Sequence, residues 1–199
     1  HLPVAKLAQA IAEVTPGDLN RIFFANSGSE AIDTIIRMVR TYWVTQGKPY
    51  KNIIISRENA YHGSTVAGAS LGGMSGMHKQ GIPMVGGIEH IRQPYWYGEG
   101  GDMTEEAFGI ACAKALEEKI LAVGPDNVAA FVGEPIQGAG GVIIPPANYW
   151  SEIQKICKKY DVLLAADEVI CGFGRTGSWF GCQTLDIAPD IMSMAKGLS

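Results

Sequence analysis

The sequence predicts an α/β domain: a mostly parallel sheet with helices on both faces. Three observations carry that expectation. Short apolar runs alternate with longer amphipathic segments along the whole chain. Several runs, such as NIIIS, VAAFVGEP and VLLAADEV, lack the polar/apolar alternation of a sheet with one wet face. The 199 residues are 47% hydrophobic and 18% charged, a globular composition with enough chain for one real core.

The elements follow in order. Residues 3–15 place Leu7, Ala8, Ile11 and Val14 on one helical face. IFFAN (22–26) reads as a buried strand. A second helix carries Ile32, Ile35, Ile36, Val39 and Trp43 at helical spacing, and NIIIS (52–56) is again a strand. The glycine-rich stretch 57–101, with Tyr95, Trp96 and Tyr97, reads as functional loops rather than framework. Residues 104–123 form a helix opened by acidic side chains, as its dipole prefers. A strand at 128–135 precedes a helix near 147–160 with Tyr149, Ile153, Ile156 and Tyr160 inward. VLLAADEV (162–169) and DIMSMA (190–195) supply two more strands.

Composition also narrows the function. The formal net charge is −4 and no Lys/Arg-rich run occurs, so neither nucleic acid nor an anionic membrane surface is an expected partner. No apolar run reaches the roughly 18 residues of a spanning helix. Cys112, Cys157, Cys171 and Cys182 form no CxxC and no Cys/His metal spacing, which suits reduced thiols in a cytoplasmic protein and no metal site. The N-terminus, His1-Leu2-Pro3, has neither an initiator Met nor a signal peptide, and both ends read as cut from something longer.

Five stretches could carry chemistry. In ANSGSEAIDTII, Ser27 and Glu30 fit a capping box. Ser27, Gly28 and Ser29 also leave backbone N–H groups open at the positive end of a helix, a cup for an anion. In NAYHGST, Tyr61 and His62 follow a strand, where open α/β sheets bind ligands, and an aromatic there can stack on a flat ring. In FVGEPIQGAGG, Glu134 ends an apolar strand and needs a partner. The GAGG after it is followed by VIIPP rather than a helix, which argues against a dinucleotide fingerprint. In VLLAADEVICGFGRTG, Asp167 and Glu168 end another apolar strand and point to opposite faces, so one of them faces a site. Lys196, just past a buried run, either snorkels to water or is partly desolvated and nucleophilic. Each stretch alone also reads as ordinary structure: a capped helix, loop packing, surface carboxylates. Together, at C-terminal ends of strands, they describe a site for an aldehyde cofactor with a phosphate and a pyridine ring.

The stretches NSGSEA, AYHG, GEPIQGAGG, ADEVICGFGRTG and PDIMSMAKG stand in this order over residues 26–197. In them the sequence resembles class III aminotransferases, fold-type-I enzymes that use pyridoxal 5'-phosphate. The resemblance implies that Lys196 condenses with the cofactor aldehyde and shuttles a proton, and that Asp167 pairs with the pyridine nitrogen. Gly28 and Ser29 would hold the phosphate with Ser27 nearby. Tyr61 and Val169 would cover the two ring faces, with His62 and Glu134 close by. It further implies a homodimer with the site at the subunit interface, of which residues 1–199 are the central part of the cofactor-binding large domain. The remainder of that domain, an N-terminal segment and a small C-terminal domain would lie outside it, leaving this fragment inactive by itself and with exposed apolar surface.

Two departures narrow the subfamily. Ile170 stands where many relatives have Gln, and Ala139 where many 2-oxoglutarate-using enzymes have Glu. With QPYWYGEGGDM, these variants resemble amine– and putrescine–pyruvate aminotransferases, with Ala139 bordering the substrate pocket. The expected reaction moves an amino group from a primary amine or ω-amino acid to a 2-oxo acid, pyruvate. The alternatives are an aminomutase of the same fold or a 2-oxoglutarate-using ω-amino-acid aminotransferase. A serine acyltransferase reading of Ser193-x-x-Lys196 fails on motif order, because Arg175-Thr176-Gly177 precedes it and no S-D-N lies between.

Overall fold

A computed structural model describes residues 1–81 and 84–198. Its elements in chain order are α1 (Leu2–Val14), α2 (Gly28–Thr45), β1 (Ile53–Arg57), α3 (Val66–Leu71), the single turn α4 (Ser75–His78), β2 (Ile88–Ile91), the single turn α5 (Trp96–Glu99), α6 (Glu105–Val123), β3 (Val128–Gly133), α7 (Tyr149–Lys159), β4 (Leu163–Asp167), the single turn α8 (Gly181–Thr184) and β5 (Ile191–Ser193). The strands form one parallel sheet in the order β2-β1-β3-β4-β5. The order reverses between β1 and β3, and ligands of open α/β sheets bind outside the strand ends at such a reversal.

The sheet is apolar on both faces because helices cover both. β3 is buried along its whole length, as an unalternating VAAFVG run demands. On one face, Phe131 and Ile55 pack with Phe108, Cys112, Leu116 and Ile120 of α6 and with Trp150 and Ile153 of α7. On the other, Ile54, Ala130 and Val132 meet Ile32, Ile35, Ile36, Val39 and Trp43, the stripe expected of α2. Trp43 adds a bond from its indole N–H to the Ala129 carbonyl (2.9 Å). Each large side chain buried in this way contributes about 1.5–3 kcal/mol. α6 is capped by Thr104, whose hydroxyl oxygen accepts from Ala107 N–H, with Glu105 and Glu106 in the first turn. Tyr149, Ile153 and Ile156 of α7 are buried, whereas Tyr160 is half-buried and donates its hydroxyl to Glu117.

Three expectations need correction. IFFAN is no strand: it has no ladder partner among the described residues, and Phe23 and Phe24 are 65% and 40% exposed. The stretch 57–101, of which Ile82 and Pro83 lie outside the described residues, contains framework. It holds β2, paired with β1 from Ile54↔Ile88 to Arg57↔Ile91. Its Glu89 and His90 are only half-buried, so this edge strand carries no apolar signature. Finally, α1 buries only Ile11 of its expected apolar face, and Leu7 is exposed.

The four cysteines are free and buried. Burial pushes the thiols of Cys112, Cys157 and Cys171 up to about 11, 12 and 12, and that of Cys182 higher still, so all stay protonated. Among the described residues no helix is long and apolar enough to cross a membrane, and no group of three or more His, Cys, Asp and Glu could hold a metal ion.

Candidate active site

A cavity of about 150 Å³ opens at the C-terminal end of the sheet. Gly28, Ser29, Tyr61, His62, Asp167, Val169 and Lys196 line it, joined by Ile32, Gly63 and Ala195. The motifs that lie far apart in sequence therefore meet in one place. The first turn of α2, the loop after β1, the end of β4 and the loop after β5 each supply one wall.

The α2 wall is built by its cap. Ser27 Oγ accepts from Glu30 N–H (3.2 Å). The Glu30 carboxylate turns back, as in a capping box, but lands on the Asn26 backbone and side-chain N–H groups (2.9 and 3.0 Å) rather than on Ser27. With its oxygen committed to the cap, Ser27 stays outside the cavity wall. The N–H groups of Gly28 and Ser29 have no acceptor among the described residues and sit at the positive helix end, the geometry that receives an anion. Ser29 Oγ accepts from Ser64 N–H (3.1 Å), which ties the cup to the loop after β1. Gly63 makes that closeness feasible. Its φ is +111°, and a Cβ there would lie 2.8 Å from Ser29 Cα.

Asp167 is 3% exposed and held on three sides. Oδ1 accepts from Val169 N–H (3.1 Å) and from the Ser193 hydroxyl (3.0 Å). Oδ2 accepts from His62 Nδ1–H at 2.7 Å. The other ring nitrogen, Nε2, pairs with the Ser56 hydroxyl at 3.0 Å, with the donor set by the ring's tautomer. Sequence reasoning found His62 but not its task, and it missed Ser56 and Ser193. Serines inside strands carry no signal of their own; only the pairing Asp167↔Ser193 reveals the second. The neighbouring Glu168 faces away, fully buried, and accepts from Gly181 and Cys182 N–H (2.9 and 2.6 Å). Burial raises its carboxyl above the usual range, and these bonds offset part of that rise.

Glu134 lies beneath the site rather than in its wall. Its carboxylate accepts from Tyr61 N–H (3.1 Å) and Gly138 N–H (2.8 Å), and burial raises it as well. Gly138 lies against Ile170, whose side chain leaves no room for a Cβ. Ala139 follows on the loop, exposed and outside the cavity wall.

Lys196 reaches the cavity from a backbone φ of +50°. That left-handed conformation costs a lysine about 1–2 kcal/mol, and strain of this kind clusters at functional sites. Its side chain is exposed within residues 1–199, just past the edge strand β5.

The family model described as aminotransferase class-III matches residues 1–199. A putrescine–pyruvate aminotransferase of Pseudomonas aeruginosa is 62% identical over 199 residues, which cover 100% of this chain and 44% of that protein. A diaminobutyrate–2-oxoglutarate transaminase of Halomonas elongata is 46% identical over 99% of this chain and 43% of that one. An omega transaminase of Pseudomonas jessenii, solved in complex with PMP, superposes with a TM-score of 0.98 at 50% identity, over 100% of this chain and 44% of that one. The chain thus spans less than half the length of the curated relatives it matches. Its motifs, its parallel sheet and these likenesses agree: the chain belongs to the class III aminotransferases.

Proposed function

We propose that the whole protein is a pyridoxal 5'-phosphate-dependent aminotransferase. It moves an amino group from a primary amine or ω-amino acid to a 2-oxo acid, pyruvate. The observation that carries this reading is the meeting of Lys196, Asp167 and the open N–H groups of α2 in one cavity.

The residues present fit the family's cofactor. The N–H groups of Gly28 and Ser29 would hold its phosphate, the buried Asp167 its ring nitrogen, and Tyr61 and Val169 its two flat faces. When bound, that group supplies an aldehyde to carry the amino group and a ring that accepts electrons. The chain does the rest. Asp167 holds a proton at the ring nitrogen. His62, Ser56 and Ser193 keep its carboxylate in place and supply its polar contacts in a water-poor setting. Lys196 would hold the aldehyde carbon and would move a proton at the substrate carbon.

Residues 1–199 serve as the central part of the large domain of this enzyme, and the segment alone is inactive. The working state is a cytoplasmic homodimer with the site at the subunit interface; the exposure of Lys196 supports cover from outside this segment. Pyruvate is favoured over 2-oxoglutarate by Ala139 and by the 62% identity to the putrescine–pyruvate enzyme. The test uses the full-length protein. Its visible band should disappear with an amine, return with pyruvate, and be absent in Lys196→Ala. A band restored only by 2-oxoglutarate would move the acceptor, and no band at all, with cofactor added, would end the proposal.

A further inference from the structure

Arg57, the last residue of β1, has no place in the chemistry above, yet its side chain is 0% exposed. Its guanidinium carbon lies 5.2 Å from the Trp150 ring centroid and 5.9 Å from that of Tyr149, both on α7. Nη2 donates to the backbone carbonyl of Glu134, and Nε and Nη1 have no acceptor among the described residues. A charge taken this far from water is costly unless another charge offsets it. Glu134, 2% exposed, carries that carbonyl; burial raises its carboxyl, and the Arg57 charge is the least of several influences on it.

The two residues sit at the exits of β1 and β3, where the strand order reverses. Glu134 uses one carboxylate oxygen for Tyr61 N–H and the other for Gly138 N–H. It thereby joins the segment bearing the ring-stacking tyrosine to the loop bearing Ala139. Gln137 adds a parallel tie through Nε2 to the Glu58 carbonyl (3.0 Å). Only an ionised carboxylate offers both N–H groups a charged acceptor, and such bonds are about twice as strong as neutral ones. We propose that Arg57 is a positioning residue: from within the core it fixes the Glu134 backbone, and through the two bonds of the Glu134 carboxylate it holds Tyr61 and the 138–142 loop in register. The inference rests on the proposed function only in treating Tyr61 and Ala139 as site residues.

The test is amide hydrogen exchange on the full-length protein with cofactor removed. The variants are Arg57→Met, Glu134→Gln and the double variant. Arg57→Met should speed exchange of segments 58–64 and 135–142 about tenfold, the scale of one charge-assisted hydrogen bond, with β4 and α7 unchanged. Glu134→Gln should give the same two-segment pattern, and the double variant should be no faster than the faster single one. Faster exchange spread over β3 and α7, no change in the two segments, or additive effects in the double variant would each overturn the proposal. If Arg57→Met does not fold, Arg57→Gln takes its place under the same criteria, since its amide ends two bonds short of Nη2 and it loses both the bond to the carbonyl and the charge. No substrate or cofactor enters this measurement, so it stands or fails separately from the transaminase reading.

Discussion

On the proposed function, replacing Asp167 by asparagine separates the charge that would face the ring nitrogen from the framework around it. In the wild type, three donors converge on the carboxylate: Val169 N–H, the Ser193 hydroxyl and His62 Nδ1–H. The asparagine carbonyl can keep the first two. Its amide then faces His62 Nδ1, which must lose its proton. The imidazole can do so by moving that proton to Nε2 and donating to Ser56 Oγ, 3.0 Å away. All three bonds then lose their charge assistance and the buried Ser56 hydroxyl loses its acceptor, while one charge fewer is held away from water, so a stability loss of about 1–3 kcal/mol is expected. The chemistry loses far more, because a neutral amide does not hold a proton on the pyridine nitrogen. A loss of about 100-fold or more in kcat/KM is expected, the scale for deleting one preorganised electrostatic partner. The assays are chemical denaturation of the cofactor-free protein and steady-state kinetics with amine and pyruvate. Activity within a few-fold of wild type would refute the Asp167 assignment. A stability loss above about 3 kcal/mol, the range of a stranded buried group, would refute the tautomer exchange.

Further outcomes follow from single side chains. Gly63→Ala should destabilise by about 2–4 kcal/mol and weaken cofactor binding, because strain at φ +111° adds to a clash with Ser29; denaturation and cofactor titration read both effects. Val142 is an exposed β-branched residue at φ +54°, so Val142→Asn should raise stability by about 1 kcal/mol in the same denaturation assay. Glu168 has a folded pKa raised above 4.5, so the folded state holds its proton longer than the unfolded state does. Wild-type stability relative to Glu168→Gln should therefore fall as pH rises from about 4.5 through the raised value; a difference that grows with pH would contradict the burial effect.

What the sequence disclosed depended on how each residue earns its place. β3 and β4 were legible because strands covered on both faces must be apolar throughout. β2 was not, because Glu89 and His90 are half-buried at a sheet edge. IFFAN misled for the opposite reason: it has the composition of a strand, but ladder pairing is a property of neighbours, and none pairs with it among the described residues. At the site, the ordered motifs named Gly28, Ser29, Tyr61, Asp167 and Lys196, which do converge. The support around them was hidden. Ser56, Ser193 and Arg57 look like ordinary strand residues, and their tasks exist only through contacts such as His62 with Asp167, 105 positions apart.

β5 is only three residues long and, among the described residues, pairs with β4 alone. Its last rung, Asp167↔Ser193, is also the rung that steadies the buried carboxylate. Lys196 follows three residues later, so its amine can be no better placed than this short edge. Fraying of three rungs would withdraw Lys196 and loosen Asp167 in one motion. Conversely, any ligand that engages both Lys196 and Asp167 ties the edge down from its far side. The binding free energy then appears as slowed amide exchange in β5, a segment the ligand need not touch.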